Sequence, residues 1–178
     1  MKLQDSQTWK NIETALNQEA LAHVEYVFYS QQAKKDGYVQ YANLFQETAD
    51  NELAHAKLLF KRLHDGGVPD TMANLAAAAH DERSEFDSYQ AFANTAREEG
   101  FDDLGDFFDG LAAIEKTHEE RYETMIERIE NDEVFKRAEI KVWYCTVCGH
   151  LEIGTEAPEK CPVCDHPQSH FEIRATNW

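Results

Sequence analysis

The sequence is short of positive charge, because 17 Lys and Arg residues stand against 34 Asp and Glu residues and the formal net charge is −17. A chain this acidic offers no basic stripe for nucleic acid, and an anionic membrane surface would repel it. It also lacks an apolar run near the roughly 18 residues of a membrane span, and it shows no apolar segment of a signal peptide. We therefore expect a cytoplasmic protein that binds neither nucleic acid nor membranes. Its acidic runs are expected to be solvated faces, some of which serve as a docking patch for a basic partner.

Glycine and proline are also scarce, with 8 and 4 residues respectively in a chain of 178. Between Thr8 and Asn131 they interrupt the apolar periodicity mainly at "DGY", "DGGVPD" and "EGF". The uninterrupted stretches predict four long helices, over 8–36, 39–65, 71–99 and 102–131. The glycines suit the positions that follow helix ends, and Thr8 and Thr71 suit N-caps.

The four predicted helices form a repeat with an offset of 63 residues. Without a gap, the offset aligns at least ten pairs of identical residues, which include the turn glycines and the histidine of each Glu-x-x-His motif. Shared helical composition explains some of the alanine and glutamate matches, but it does not explain the glycine and histidine matches. The sequence therefore predicts a duplicated helical hairpin. The aligned pairs include Thr8/Thr71, Ala15/Ala78, Glu19/Glu82, Tyr26/Tyr89, Ala33/Ala96, Gly37/Gly100, Phe45/Phe108, Ala49/Ala112, Glu52/Glu115 and His55/His118.

Both halves of the repeat place acids and imidazoles on apolar helix stripes. Glu115 and His118 share a stripe with Phe108, Leu111 and Tyr122. An ionised carboxylate is costly to bury unless a partner neutralises it. Antiparallel hairpins bring the equivalent acids to a similar height, so a four-helix core would gather them at one level. The predicted ligand set is Glu19, Glu52, His55, Glu82, Glu85, Glu115 and His118, in which Glu85 stands where the first half has Ala22.

This ligand set is typical of helical bundles that hold two metal ions. A single Glu-x-x-His is weak evidence, since it is more often a surface pair, but two at equivalent positions are a strong signal. Five carboxylates and two imidazoles can neutralise two divalent or trivalent ions. Mixed oxygen and nitrogen ligands suit iron or manganese, and zinc can also occupy such a site.

All four cysteines fall within the last 34 residues, in the pattern C-x2-C, twelve residues, C-x2-C. In a reducing compartment this spacing favours a metal over disulfides. Four thiolates bind zinc or a single iron, and the spacing does not separate the two. A redox-capable di-metal core needs an electron source, which favours iron. The predicted ligands are Cys145, Cys148, Cys161 and Cys164.

Over nearly its whole length the chain resembles the rubrerythrin family. The resemblance lies in Glu19, in the pairs Glu52-x-x-His55, Glu82-x-x-Glu85 and Glu115-x-x-His118, and in the tail "APEKCPVCDHPQSHFEI". It implies a mainly α protein, with a ferritin-like four-helix bundle over 1–137 and a rubredoxin-like Fe(Cys)4 domain over 138–178. It further implies a non-haem di-iron peroxidase that reduces hydrogen peroxide to water. Electrons would come from rubredoxin or an NAD(P)H-dependent reductase and pass through the rubredoxin-like iron.

The resemblance also implies roles for single residues. Glu52 and Glu115 would bridge two irons, and Glu19 would be a terminal ligand of the first. The first iron would exchange Glu85 in the diferric state for His55 in the diferrous state, while Glu82 and His118 would hold the second. Tyr26 matches a tyrosine that hydrogen-bonds near the site, although core packing explains it equally well. His23 is expected to be a hydrogen-bonded core histidine, and the role of Tyr89 stays open because the family often has one residue more before it.

The link between the second and third helices is too short for a ferritin-like arrangement within one chain. In such a bundle these helices run parallel, so the link must travel the length of the bundle. Either the bundle is simple up-down-up-down, or two chains exchange hairpins in a helix-swapped homodimer, which short hinges favour. Two other functions stay open at this stage: a ferroxidase or iron-handling protein, and a helical scaffold with a structural zinc ribbon.

Overall fold

The computed structural model describes residues 2–177 and has four long helices followed by a small sheet domain. This confirms the predicted fold class, and each helix lies within two residues of its predicted bounds. A short 3-10 helix, Leu3–Asp5, precedes the first long helix and another, Gln168–His170, precedes the last strand. The helices are α1 (Gln7–Lys35), α2 (Val39–Leu63), α3 (Thr71–Glu98) and α4 (Asp102–Glu130), and the strands are β1 (Lys136–Cys145), β2 (Leu151–Glu156) and β3 (Phe171–Ile173).

The chain forms two compact units that divide between Asp70 and Thr71. The first unit is the α1–α2 hairpin, and the second contains the α3–α4 hairpin and the sheet domain. Small residues dominate the buried positions of both hairpins, because only small side chains let two helices approach closely. The buried residues are Ser30, Ala33, Ala42, Ala49 and Ala56 in the first hairpin and Ala93, Ala96, Gly105, Ala112 and Glu119 in the second.

The two hairpins turn in the same way. Gly37 and Gly100 each follow a helix end with φ of +85°, a left-handed conformation that glycine adopts without a Cβ clash. The backbone N–H of Tyr38 donates to the carbonyl of Ala33 at 2.8 Å, and that of Phe101 donates to Ala96 at 2.8 Å. The repeat seen in the sequence is therefore also a repeat of turn geometry.

The two threonine N-caps were predicted wrongly. The hydroxyl of Ser6, not that of Thr8, accepts the backbone N–H of Trp9 at 3.2 Å at the start of α1. Thr71 is already the first residue of α3. The first helix begins earlier than the threonine pattern suggests, because Ser6 supplies its non-helical flanking position.

The sheet domain is an antiparallel three-stranded sheet in the order β2-β1-β3. Its core consists of Trp143, Cys145, Ala157, Cys161 and Phe171, all at most 4% exposed. The indole N–H of Trp143 donates to the carbonyl of Gly154 at 3.1 Å, so its buried polar atom is satisfied. Two of the four cysteines thus belong to this core.

Within residues 2–177, no helix combines the length and the apolar character that crossing a membrane requires.

Candidate metal centres

The first hairpin gathers three of the predicted ligands between its two helices. Glu19 lies on α1, and Glu52 and His55 lie one turn apart on α2. The Nδ1 atom of His55 is 2.9 Å from Glu52 Oε2 and 3.4 Å from Glu19 Oε2. Ligand atoms of all three residues lie within 4.8 Å of one another. We call these residues the first ligand cluster.

The second hairpin repeats this geometry at the positions 63 residues further on. The Nδ1 atom of His118 is 2.8 Å from Glu115 Oε2 and 3.3 Å from Glu82 Oε2. The side chain of Glu52 is 18% exposed and that of Glu115 is 12% exposed, so both carboxylates point inward. Glu82, Glu115 and His118 form the second ligand cluster, whose ligand atoms also lie within 4.8 Å of one another.

In the first ligand cluster, hydrogen bonds between the side chains shift the pKa of all three residues. A hydrogen bond to Glu52, together with desolvation, raises the pKa of Glu19. The same hydrogen bond, together with the one from His55, lowers the pKa of Glu52. The hydrogen bond to Glu52 also raises the pKa of His55. Two acids and an imidazole at this spacing share protons through hydrogen bonds, and a metal ion can displace those protons.

Glu85 does not belong to the second ligand cluster, although the electrostatics place it nearby. Desolvation raises the pKa of Glu85, and the carboxylates of Glu115 and Glu82 raise it further. Tyr89, one helical turn along α3, has a pKa raised by burial and then by Glu85 and Glu115. The ring of Tyr89 stacks on Phe108 with centroids 6.1 Å apart.

The sheet domain brings all four cysteines together, with their sulfur atoms within 4.8 Å of one another. The Sγ atoms of Cys145 and Cys164 are 3.7 Å apart, and those of Cys148 and Cys161 are 3.6 Å apart. A tetrahedron with metal–sulfur bonds of about 2.3 Å has edges of about 3.8 Å. None of the four is in a disulfide. The four sulfurs therefore fit one tetrahedral metal ion, and we call them the cysteine site.

Backbone amides of the two C-x2-C knuckles favour thiolates. The amide of Cys148, and then that of Val147, lowers the pKa of Cys145 to about 6 against the effect of burial. The amide of His166 favours the Cys164 thiolate, but burial and the three neighbouring thiols outweigh it and raise that pKa to about 12. One sulfur thus ionises before the others, and a metal ion must displace the remaining protons.

His23 and Tyr26 have packing roles in the first hairpin. The Nδ1 atom of His23 on α1 is 2.8 Å from the carbonyl oxygen of Ala49 on α2, so this histidine ties the two helices together, as predicted. The ring of Tyr26 lies 6.5 Å from that of Phe45 and 5.9 Å from that of Tyr29. These ring contacts directly support the packing role for Tyr26.

The sequence reasoning missed a buried acid next to the second ligand cluster. Glu119 is 7% exposed and occupies the position where the first hairpin has Ala56. Its carboxylate is 3.0 Å from Lys116 Nζ and 3.8 Å from an Arg83 guanidinium nitrogen. The i, i+3 spacing of Lys116 and Glu119 was a visible signal, but nothing in the sequence distinguished it from a surface pair.

Two family models match the chain. The model described as "Rubrerythrin" matches residues 10–71 and 73–153, and the model described as "Rubrerythrin, rubredoxin-like domain" matches residues 143–172. The first match contains both ligand clusters. The second contains all four residues of the cysteine site, Cys145, Cys148, Cys161 and Cys164.

Curated relatives match over almost the full length. The chain is 42% identical to rubrerythrin-1 of Clostridium acetobutylicum, over 99% of this chain and 98% of the relative. It is also 42% identical to rubrerythrin of Nitratidesulfovibrio vulgaris, again over 99% and 98%. A solved structure of nigerythrin in a mixed-valence state is 31% identical over 95% of this chain and 87% of that one, with a TM-score of 0.35. The family assignment therefore depends on the sequence matches.

Proposed function

Because the chain belongs to the rubrerythrin family, we propose that it is a non-haem di-iron peroxidase that reduces hydrogen peroxide to water. The observation that carries the proposal is the presence in one chain of two equivalent acid and imidazole clusters together with a tetrahedral cysteine site. The first kind of site suits two-electron chemistry on a small oxidant, and the second suits delivery of single electrons. Such a protein would serve in defence against oxidative stress.

The residues of the two ligand clusters would hold the two iron ions. Together with Glu85 they supply five carboxylates and two imidazoles, whose negative charge would fully neutralise two ferrous ions and offset most of the charge of two ferric ions. Glu52 and Glu115, the least exposed acids of their clusters, are the proposed bridging ligands. Bound iron would supply two electrons and polarise the O–O bond. Protons for the two waters would come from a nearby carboxylate or from solvent.

Exchange between Glu85 and His55 would adjust the charge of the site. Ferric iron prefers a hard anion, whereas ferrous iron accepts a neutral imidazole, so the exchange keeps the net charge more constant. The more exposed position of both residues fits this role, since the side chain of His55 is 54% exposed and Glu85 lies on an exposed part of α3. Buried ligands such as Glu115 have less room to move.

The cysteine site would hold a single iron and relay electrons from rubredoxin or an NAD(P)H-dependent reductase. The exposed position of Cys148 supports electron entry from such a partner. We place the protein in the cytoplasm, because a reducing compartment keeps thiols available to hold a metal ion.

We further propose that the protein is a helix-swapped homodimer, in which each di-iron site combines the first ligand cluster of one chain with the second cluster of its partner. From Glu52 to the end of α2 and from the start of α3 to Glu82, the helices rise about 33 Å in total. The seven linking residues, 64–70, span at most about 25 Å. Each hairpin also leaves large apolar side chains exposed, among them Leu21, Phe28, Phe92 and Ile114, which need a covering partner.

Peroxide turnover with two different metals in the cysteine site tests the proposed electron path. With iron at both kinds of site, reduced rubredoxin should be oxidised continuously when peroxide is added. With zinc in the cysteine site and iron in the ligand clusters, pre-reduced protein should still react once with peroxide, but continuous turnover should stop. Cys161→Ala should behave like the zinc form. Normal turnover in the zinc form would contradict the proposed relay.

A further inference from the structure

Four tyrosines form a row along the first hairpin. The rings of Tyr26 and Tyr29 are 5.9 Å apart, and Tyr29 lies 5.6 Å from Phe45. Tyr29 and Phe45 line a cavity of about 350 Å³ together with Tyr38 and Tyr41. The rings of Tyr38 and Tyr41 are 5.8 Å apart. We call Tyr26, Tyr29, Tyr38 and Tyr41 the tyrosine row.

The residues of the tyrosine row differ in exposure and in their position relative to the first ligand cluster. Tyr26 follows Glu19 by seven residues on the same face of α1, which is roughly 10 Å along the helix. Tyr26 is half-buried, Tyr29 is 44% exposed, and Tyr38 and Tyr41 are each 60% exposed. Exposure therefore increases along the row.

The second hairpin keeps the ring packing but has a hydroxyl group at one of the four equivalent positions, Tyr89. The positions 63 residues beyond the row hold Tyr89, Phe92, Phe101 and Leu104. Phe92 packs on Phe108 with ring centroids 5.6 Å apart, the same distance as between Tyr29 and Phe45. Ring packing at these positions thus does not need a phenol. A phenol is far easier to oxidise by one electron than a phenylalanine ring, so only the first hairpin has a continuous set of oxidisable side chains.

We propose that the tyrosine row carries oxidising equivalents from the first ligand cluster to the protein surface when peroxide is reduced by only one electron. The proposal rests on the proposed function, because it requires ferrous iron in the cluster and peroxide as the oxidant. If the cluster held a single ferrous ion, that ion would supply one electron to peroxide, and the products would be hydroxide, a hydroxyl radical and a ferric ion. The hydroxyl radical then takes the phenolic hydrogen atom of Tyr26, which gives water and a tyrosyl radical.

The radical moves along the row by transfer of one electron and one proton at each step. Tyr29 gives an electron to the Tyr26 radical and its phenolic proton to water, while Tyr26 regains a proton from water. Repeating this step leaves the radical on Tyr38 or Tyr41. There a small thiol in solution can donate a hydrogen atom, which restores the phenol and leaves a thiyl radical outside the protein. The metal ligands are thereby spared oxidation.

Peptide mass spectrometry after peroxide treatment tests the row. Protein with zinc in the cysteine site and one ferrous ion per chain is treated with excess peroxide and no electron donor. We expect a tyrosyl radical in freeze-quenched EPR spectra, and oxidation products, including dityrosine, concentrated at Tyr38 and Tyr41. In Tyr29→Phe the products at Tyr38 and Tyr41 should fall several-fold, while oxidation at Tyr26 rises. Phe92 at the equivalent position indicates that the variant can pack normally.

Tyr144→Phe in the sheet domain is the matched control and should leave the product pattern unchanged. Two results would overturn the proposal, because each would show that radicals in solution attack the surface tyrosines. One is unchanged oxidation of Tyr38 and Tyr41 in Tyr29→Phe. The other is loss of the oxidation products when a hydroxyl-radical scavenger is added to the solution. Optical spectra recorded in the same experiment report whether peroxide oxidises the ferrous ion. If the ferrous ion is oxidised and no tyrosine products form, only the proposed radical transfer along the tyrosine row is contradicted. If the ferrous ion is not oxidised, the proposed function is contradicted as well.

Discussion

At the scale of single residues, the chemistry of this chain depends on acids, imidazoles and thiols held a few ångströms apart. Each of the two ligand clusters places a histidine Nδ1 atom between two carboxylates, at nearly the same pair of distances. Such close spacing of negative groups is unfavourable without a cation. The side-chain geometry therefore supports metal binding more directly than the motifs alone.

Metal binding at the cysteine site should depend on pH in a defined direction. At pH 7 Cys145, with a pKa of about 6, is mostly a thiolate, whereas Cys164, with a pKa of about 12, is a thiol. Metal binding must then release at least the Cys164 proton, and below about pH 6 the Cys145 proton as well. The affinity for zinc should thus fall by about a further tenfold per pH unit below that point. Calorimetry in buffers of different ionisation enthalpy measures the proton release, and an affinity that is constant between pH 5 and 8 would contradict it.

Glu119 should contribute to the stability of the second hairpin. Glu119→Ala removes the acceptor of Lys116 and leaves Arg83 without its partner on α4. Because a hydrogen bond to a charged group is involved, we expect the free energy of unfolding to fall by about 1–2 kcal/mol. Urea denaturation of the metal-free protein measures the change, and Glu123→Ala at an exposed position of α4 is the control. A loss equal to that of the control would mean that the ion pairs of Glu119 add nothing to stability.

At the scale of helices and hairpins, the repeat was readable from the sequence because its spacing is constant. Apolar periodicity and two turn glycines were enough to place all four helices, since long amphipathic helices depend on local pattern. The N-caps were not predictable in the same way, because Ser6 and Thr8 are chemically similar and only backbone conformation decides between them. The buried state of Glu119 also depends on the packing of α3 against α4, which no local pattern encodes.

Two glycines of the second hairpin should respond to alanine in opposite ways. Gly100 has φ of +85°, so Gly100→Ala forces a side chain into a left-handed conformation and should cost about 1 kcal/mol. Gly110 lies inside α4 with open space around it, so Gly110→Ala should stabilise by about 0.5–1 kcal/mol. Thermal unfolding followed by circular dichroism compares the two. Equal effects would contradict the turn geometry described for Gly100.

At the scale of the whole molecule, the sequence predicted the fold class and the kinds of metal site but could not decide how hairpins combine into a bundle. The ligand motifs are local, with two residues between the paired ligands, so they are visible without a structure. The combination of hairpins depends on the length of the link and on apolar faces that are not covered within each hairpin. These features support the proposed exchange between two chains.

Complementation between two inactive variants tests the helix swap. Glu52→Ala damages the first ligand cluster and Glu115→Ala damages the second. If sites combine clusters from two chains, unfolding and refolding the variants together should yield heterodimers with one intact site. Random association would then restore about a quarter of the wild-type sites, since half of the dimers are mixed. Each variant refolded alone is the control, and no activity in the mixture would contradict the swap.

The central claim, that the two ligand clusters together hold a di-iron centre that reacts with peroxide, is tested most directly by anaerobic titration of the reduced, iron-loaded protein. Optical spectra are recorded as hydrogen peroxide is added, with zinc in the cysteine site so that only the carboxylate-bound iron changes colour. We expect a sharp end point at one peroxide for each pair of ferrous ions, because each peroxide takes two electrons. Spectra that do not change, or oxidation that needs many equivalents of peroxide and has no end point, would contradict it.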